Sequence, residues 1–197
     1  MPKIVDKEKM REDILDAFLK TLLKYGFHNS SMTKIAQEAG IAKGTLYLYF
    51  DSKESLISTM TKQHFSKVRE RLVATKYFDS LDELLNHIEN SLLISKEDTE
   101  FIPIFFEAFG ASFSSPKFID KYRDFFNEVG EFYAKNLQLL MDSGSIDKSI
   151  NPVALGRVLV SMLDGIVLHK GFFGMEKEAY EGMVKESVGL FRRGLIY

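Results

Sequence analysis

Residues 33–56 read TKIAQEAGIAKGTLYLYFDSKESL, and they contain two short helical patterns separated by a glycine-containing turn. The hydrophobic spacing predicts a helix from Thr33 to Ala39, a turn around Gly40, and a second helix from Gly44 to Phe50. A helix, a tight turn and a helix at this spacing are typical of the helix-turn-helix motif, whose second helix enters the major groove of DNA.

The two faces of the predicted second helix differ in character. At about 100° per residue, Leu46 and Phe50 fall on one side, where Ile35 and Ala36 of the preceding helix can cover them. The opposite side has no local partner, and it carries Thr45, Leu48 and Tyr49, with Tyr47 at the edge between the two. The aromatic residues are therefore divided between the core and an outward face.

The outward face suits a nucleic-acid partner. Thr45 offers a hydroxyl and a methyl group to base edges, and the phenols of Tyr47 and Tyr49 can donate hydrogen bonds to phosphates. Gly44 has no side chain, so a DNA backbone can approach it closely. The other candidates supply hydroxyl groups or positive charge nearby: Thr33, Lys34, Lys43 and Lys53. Helix-turn-helix geometry also occurs in proteins that bind no DNA, and an aromatic-rich helix can serve packing alone.

The same run resembles the DNA-binding segment of the TetR family of transcriptional regulators. The resemblance lies in the Ile-Ala pair, the Ala-Gly turn, Gly-Thr-Leu-Tyr, Tyr-Phe and Ser-Lys-Glu, and similarity of sequence covers about residues 10–60. By matching position it implies DNA contacts at Thr33, Lys43, Gly44, Thr45, Tyr47, Tyr49 and Lys53. Leu48 corresponds to a variable position that reads sequence, and its aliphatic side chain favours contact with thymine methyl groups.

The remainder of the chain is dominated by helical periodicity. Strand signals are nearly absent over the 197 residues, so we expect an all-α fold of about nine helices. The first three helices are short, and the rest form a larger bundle. We therefore predict a helix-turn-helix DNA-binding domain over residues 1–52 and a helical effector-binding and dimerisation domain over residues 53–197.

Charge and composition indicate the cellular location of the protein and the kind of partner that it binds. Residues 1–71 hold 13 basic and 9 acidic residues, whereas the remainder holds 13 and 19, so a basic end is joined to an acidic body. The chain has no cysteine, its first residues MPKIVDKEKMRED lack the apolar core of a signal peptide, and no apolar run approaches the length of a membrane span. We expect a cytoplasmic protein that uses no membrane.

Motifs for catalysis are missing from the sequence. Its four histidines, His28, His64, His87 and His169, lie far apart and without the spacing of metal ligands. The sequence contains no phosphate-binding loop, nucleophile elbow or dinucleotide fingerprint. We therefore predict no catalytic residue, no metal site and no cofactor.

Phenylalanine is concentrated in one part of the chain. Nine of the 17 phenylalanines lie between Phe101 and Phe132, where they pack solidly or line a cavity. The TetR resemblance implies a small-molecule pocket between these helices, and hence a lipophilic or aromatic effector. The wall residues that we predict for it are Phe105, Phe109, Tyr122 and Phe126.

The segment NPVALGRVLVSMLDGIVLHK, residues 151–170, is apolar on nearly every side. Such a helix should be buried all round, either wholly inside one chain or partly against a second copy. The TetR resemblance implies that the last two helices form a dimer interface. We predict that Gly156, Val160, Leu163 and Gly165 contribute to it.

These features together predict a dimeric regulator that binds a palindromic operator in double-stranded DNA, acts as a repressor and is released by a small effector. The fourth helix, which follows the helix-turn-helix, is the expected transmitter of that signal. The other interpretation is a helical small-molecule-binding protein without affinity for DNA, which would keep the phenylalanine cluster but show no salt-dependent retention on DNA.

Overall fold

The computed structural model describes residues 6–74, 77–94, 99, 102–103, 106–107, 110 and 116–196, and within these ranges it contains helices and no strand. Eight helices are defined there: α1 Lys7–Asn29, α2 Met32–Glu38, α3 Lys43–Tyr47, α4 Lys53–Ala74, α5 Leu81–Leu92, α6 Pro116–Asp142, α7 Pro152–Phe173 and α8 Lys177–Leu195. The all-α fold is confirmed. The sequence also predicts a helix over the apolar segment FIPIFFEAFGASF, residues 101–113, and eight of these 13 residues lie outside the described ones.

The chain divides into two compact units. The first comprises Met1–Ser66 with Pro103–Phe118, and the second comprises Lys67–Ile102 with Ile119–Tyr197. Helix α4 thus begins in the first unit, and its last turns belong to the second. The functional boundary between residues 52 and 53 stays a prediction.

The first unit is built around one apolar core to which α1 to α4 all contribute. The buried side chains are Ile14, Leu15, Phe18, Leu22, Phe27, Ile35, Ala36, Leu46, Phe50, Leu56 and Ile57. Ile35 of α2 and Leu46 of α3 are completely buried, as is Phe18 of α1. Because burying such side chains stabilises the fold by roughly 1.5–3 kcal/mol each, this core holds α3 firmly against its neighbours.

The helix ends in the first unit carry the capping residues that local chemistry favours, and the pair at the start of α4 lies one position later than the sequence predicts. Gly26 adopts φ 71°, a conformation that favours glycine, and it interrupts α1 where the sequence predicts its end. Ser31 caps α2 by accepting a hydrogen bond from the Lys34 amide at 3.3 Å. At the start of α4 the capping pair is Ser52 and Ser55, whose hydroxyl groups accept from each other's amides. The spacing of Asp51 and Glu54 predicts that pair one position too early.

The second unit packs α5 against α7 and α8. A buried amide secures the start of α5: Asn136 Oδ1 on α6 accepts from the Phe78 amide at 3.0 Å. The Tyr180 hydroxyl on α8 donates to the Leu92 carbonyl oxygen at 2.7 Å, at the end of α5. Both ends of α5 are thus held by side chains from distant parts of the sequence.

Helix α7 is long and apolar. Its most apolar 18-residue window has a mean hydropathy of 1.4, and only 22% of that window is buried within the chain. By length and composition it meets the criterion for a membrane span, so the prediction that no segment approaches that length is wrong. A helix with this composition needs cover on more than one side.

Candidate nucleic-acid interface

The helix-turn-helix is formed by α2 and α3. Gly40 adopts φ 66° in the turn, and the Ile41 amide donates to the Ala36 carbonyl oxygen at 3.0 Å. Beyond the turn, Leu46 and Phe50 are buried in the core of the first unit. The predicted division of the second helix into a core face and an outward face is therefore confirmed at these two positions.

The outward surface of α3 consists of side chains that the first unit does not cover. Leu48 is 83% exposed and Tyr47 is 47% exposed. Lys43 and Gly44 are also exposed, and Thr45 is half-buried. We refer to these five residues, 43–45, 47 and 48, as the α3 surface. An apolar side chain as exposed as Leu48 contributes little to folding, which favours a binding role.

The positions of two tyrosines correct the prediction from periodicity. Tyr49 is half-buried and packs against the core, whereas Tyr47 is exposed instead of lying at the edge. The α-helix ends at Tyr47, and the amides of Leu48 and Tyr49 donate to carbonyl oxygens only three residues back, Thr45 and Leu46. Such a turn advances by about 120° per residue, so Tyr49 is rotated toward the side of Leu46.

The predicted phosphate-binding lysines differ in how free their ammonium groups are. Lys53 Nζ donates to the Phe27 carbonyl oxygen at 2.7 Å and lies 3.9 Å from the centroid of the Phe27 ring. Burial lowers the pKa of Lys53, and the negative charges of Glu54 and Glu107 offset part of that shift. Lys34 Nζ donates to the Asn29 carbonyl oxygen at 3.0 Å. Both ammonium groups already donate hydrogen bonds to carbonyl oxygens of the first unit, so phosphate contacts by these two lysines stay predictions.

Lys43 presents a different environment. Its side chain is exposed, and among the described residues its contact is with the ring of Tyr47, 5.8 Å from Nζ to the centroid. Thr33, at the start of α2, is exposed as well. These residues leave a hydroxyl and a cation accessible beside α3, as contact with a phosphate requires.

Gly44 has no structural reason to be glycine. A Cβ atom built there meets nothing within 4 Å among the described residues, and the backbone is ordinary helix. Glycine inside a helix costs about 0.5–1 kcal/mol relative to alanine. An unneeded glycine on an exposed helix is consistent with a site where another molecule's backbone approaches closely.

The two lysines allow a matched comparison. Lys53→Ala removes a hydrogen bond and a cation–π contact, and we expect it to lower the free energy of unfolding by about 1–2 kcal/mol. Lys43→Ala should leave stability within about 0.5 kcal/mol of the wild type, and it should reduce the slope of log binding constant against log salt by about one. Denaturant unfolding and DNA titrations measure the two effects. Equal stability of both variants would contradict the structural role of Lys53.

Comparison with known proteins agrees with this geometry. Residues 14–60, which contain the whole helix-turn-helix, match the family described as bacterial regulatory proteins, tetR family. The HTH-type transcriptional regulator YvkB of Bacillus subtilis (strain 168) is 26% identical over 190 residues, covering 92% of this chain and 95% of that protein. The helix-turn-helix segment is similar to that of TetR-family regulators.

Solved structures extend the likeness to the fold of the whole chain. A TetR transcription regulator from Haloarcula marismortui ATCC 43049 has a TM-score of 0.82 at 16% identity, over 96% of this chain and 100% of that chain. A transcriptional regulator from Saccharomonospora viridis, solved in complex with choline, has a TM-score of 0.79 at 17% identity, over 96% and 99%. The TetR family consists of transcriptional regulators rather than enzymes.

The effector residues predicted from the TetR resemblance are only partly described. Phe105 and Phe109 lie outside the described residues. Tyr122 and Phe126 lie one turn apart on α6, both half-buried, and their ring centroids are 4.3 Å apart. The second unit thus brings together two of the four predicted aromatic residues.

The predicted dimer residues need correction. Gly156 packs within its own chain, because a Cβ atom there would lie 2.9 Å from the Ala134 amide nitrogen and closer still to the Gly130 carbonyl oxygen. Val160 is only 6% exposed. Leu163 and Gly165 are partly exposed, so a role at an interface stays open for them. Gly156 and Val160 lie on the stripe of α7 that packs inside the chain.

A different stripe of α7 is uncovered. Together with α8 it borders an apolar groove of about 680 Å³, whose lining includes Leu155, Val158, Met162, Leu190 and Phe191. We call this the α7–α8 groove. Val158 is 52% exposed and Leu190 is 63% exposed. The groove positions on α7 are three or four residues apart, as are those of its buried stripe. The sequence alone therefore does not distinguish the exposed stripe from the buried one.

Proposed function

We propose that this TetR-family regulator is a cytoplasmic repressor that binds a palindromic DNA operator as a homodimer and is released by a small-molecule effector. The observation that carries the DNA-binding role is the α3 surface, where Leu48 is 83% exposed on a helix fixed by buried Leu46. Side chains held rigidly and left uncovered are suited to reading a groove.

Each group on the α3 surface has a specific role in this proposal. Leu48 and the Thr45 methyl group contact thymine methyl groups, and the Thr45 hydroxyl reaches base edges. Lys43 and the Tyr47 phenol contact phosphates, which fix the register of the protein on the duplex. Gly44 lets the DNA backbone come close. Thr33, Lys34, Tyr49 and Lys53 contribute further contacts at the margin of this surface.

Selection from a random duplex library tests DNA binding. Purified protein should enrich a palindrome, and its affinity should fall steeply between about 50 and 200 mM salt as counterions are released. Half-site centres are expected about 34–36 Å apart or a multiple of that distance. Failure to retain any duplex at low salt would contradict the proposal and favour the other interpretation, a small-molecule-binding protein without DNA affinity.

The α7–α8 groove is the surface that we propose for dimerisation, with a second copy of the chain as its occupant. A two-fold interface is self-complementary, so the exposed Val158 and Leu190 of each copy can enter the groove of the other. This arrangement also covers the uncovered side of α7, whose window is only 22% buried within one chain. Dimerisation then sets the separation of two α3 surfaces.

Charge placed in the groove should separate the copies. We expect Val158→Glu combined with Leu190→Glu to shift the protein to monomer at micromolar concentrations, because burying unpaired carboxylates costs several kcal/mol. Sedimentation velocity measures the change, and operator affinity should fall with it. Val153→Glu is the matched control, since Val153 is 58% exposed on the same helix but does not line the groove. A double variant that stays dimeric would exclude this interface.

The effector acts, in this proposal, by shifting the dimer between two arrangements. A ligand that binds one arrangement more tightly raises its population, and operator affinity falls when that arrangement misplaces the α3 surfaces. Reciprocity then requires bound DNA to weaken effector binding. The choline complex of the Saccharomonospora viridis regulator, a protein of the same fold, supports a small-molecule effector for this chain. Tyr122 and Phe126 are the described residues that we place at the site of this effector.

A further inference from the structure

Arg11 lies on the second turn of α1, and its half-buried side chain reaches the end of α3. Its Nη1 atom donates a hydrogen bond to the Tyr49 carbonyl oxygen at 3.2 Å. Its Cζ atom lies 4.6 Å from the centroid of the Phe50 ring. One guanidinium group thus contacts two consecutive residues that directly follow the α3 surface, and all of these residues belong to the first unit.

The Tyr49 carbonyl oxygen has its partner outside α3. The last carbonyl groups of a helix have no hydrogen-bond donor within that helix. The α-helix ends at Tyr47, and Tyr49 follows it in the turn toward α4. Among the described residues, the hydrogen bond that this carbonyl oxygen accepts is the one from Arg11. A charged donor makes such a bond stronger than a neutral donor does. The end of α3 is therefore held by a side chain from a different helix.

Burial alone does not fix the direction in which α3 presents its exposed side chains. Leu46 and Phe50 anchor the inner side of the turn, because both are buried. Hydrophobic burial is non-directional, whereas a hydrogen bond restricts the angle between two groups as well as their distance. Leu48 is exposed, so its orientation is set by the backbone on either side of it. Arg11 holds that backbone at the very next residue.

The surroundings of Arg11 favour positioning over direct contact with a phosphate. Its guanidinium group lies against a carbonyl oxygen and an aromatic ring, whereas the exposed Lys43 leaves its ammonium group accessible beside α3. Among the described residues Arg11 forms no ion pair, so its position is determined by the end of α3 rather than by a carboxylate.

We infer that Arg11 is a positioning residue for DNA recognition, which holds the Tyr49 carbonyl and the Phe50 ring and so fixes the angle at which the α3 surface meets the groove. The inference rests on the proposed function, because it concerns how that surface recognises an operator. Recognition of base edges requires side chains placed within about 0.5 Å and 10–20°. Phosphate contacts by lysine are less demanding, since they depend on a point charge. Loss of Arg11 should therefore lower sequence preference more than general affinity for DNA.

Three variants test this assignment. Arg11→Met removes the donor and the charge at similar size, Arg11→Lys keeps the charge and a donor, and Lys20→Met is the matched control. Lys20 is an exposed cation of α1 nine residues further on, which places it about 180° away around the helix. Each variant is titrated with the selected operator and with a scrambled duplex of the same length, at about 50–200 mM salt and at a temperature where it is fully folded.

We expect Arg11→Met to weaken operator binding about tenfold or more, and binding to the scrambled duplex less than threefold. On the scrambled duplex the slope of log binding constant against log salt should stay within about 0.5 of the wild type, because no phosphate contact is lost. Lys20→Met should behave as the wild type. Arg11→Lys should weaken operator binding only about threefold and leave the scrambled duplex unaffected, since an ammonium group can still donate to the carbonyl oxygen but lacks the planar contact with the ring. This variant decides the question if Arg11→Met does not fold.

Two results would overturn the inference. Equal loss of affinity for both duplexes, with a slope lower by about one, would show that Arg11 contacts a phosphate directly. Unchanged binding to both duplexes, together with a lower melting temperature, would show that Arg11 contributes to stability alone.

Hydrogen exchange in the free protein, followed residue by residue by NMR, tests the same contact without DNA. The amides of Leu48, Tyr49 and Phe50 donate to carbonyl oxygens of α3, and their exchange should be about tenfold faster in Arg11→Met, with the amides of α2 unaffected. Unchanged exchange at these three amides would also overturn the inference. If the wild type binds no duplex, the proposed function fails, and the exchange rates alone show whether Arg11 orders the end of α3. If Arg11→Met keeps the full operator preference of the wild type, the proposed function stands and the inference fails.

Discussion

Replacing Leu48 with glutamate is expected to weaken duplex DNA binding by about 100-fold or more at 0.1 M salt, without loss of fold. The side chain is 83% exposed, so the substitution removes no core contact. On bound DNA it would place a carboxylate toward bases and phosphates, where like charge costs several kcal/mol, and it would remove apolar contact with thymine methyl groups. Fluorescence anisotropy with the selected operator measures the loss.

The control makes the same leucine-to-glutamate substitution at a different exposed position. Leu139→Glu introduces the same charge at an exposed leucine of α6, and we expect less than a threefold change in operator affinity. Thermal unfolding of both variants should stay close to that of the wild type. If Leu48→Glu and Leu139→Glu bind equally well, α3 is not the DNA-binding helix.

Alanine at Gly156 is expected to cause the largest loss of stability among conservative substitutions. The new Cβ atom would overlap the backbone of α6 at Gly130 and Ala134, which cannot move aside as a flexible side chain can. Overpacking of this kind costs about 1–3 kcal/mol, only partly offset by the better helix propensity of alanine. A fall in melting temperature of roughly 5 °C is therefore expected at fixed protein concentration.

Gly182→Ala is the matched control for that experiment. Gly182 is an exposed residue of α8 with nothing within 4 Å of a built Cβ atom, so alanine there should raise stability by up to about 1 kcal/mol. Opposite signs for the two variants would support the close crossing of α6 and α7. A stabilising Gly156→Ala would show that the helices are further apart than described.

Local chemistry marks several of the helix boundaries. Ser80 accepts from the Glu83 amide at 3.2 Å and Asn151 accepts from the Ala154 amide at 3.0 Å, as their sequence contexts suggest. Gly26 adopts positive φ where it interrupts α1, and Gly174 does so directly after the last residue of α7. These signals depend on residues within one turn of each other, so they can be recognised without knowledge of the tertiary fold.

Features that depend on a partner distant in sequence were not predictable in the same way. The inward rotation of Tyr49 arises from a switch to three-residue hydrogen bonds that periodicity does not record. The ammonium group of Lys53 meets a carbonyl oxygen of α1, which no local pattern reveals.

Helix α7 illustrates the same limit for packing. Two of its stripes are apolar, and the sequence does not say that Gly156 faces α6 while Val158 faces outward. The glycine pair at positions 130 and 156 is the signal that allows the crossing to be recognised, once the two helices are known to be neighbours.

Site-directed cross-linking tests the central claim, that the α3 surface enters a groove of DNA. The chain contains no cysteine, so Leu48→Cys and Leu139→Cys each provide one attachment point for a photoactivated aryl azide. With the selected operator bound, the probe at position 48 should cross-link to bases at symmetric positions in both half-sites, and the probe at position 139 should not. Bound operator that is cross-linked from position 139 but not from position 48 would contradict the account.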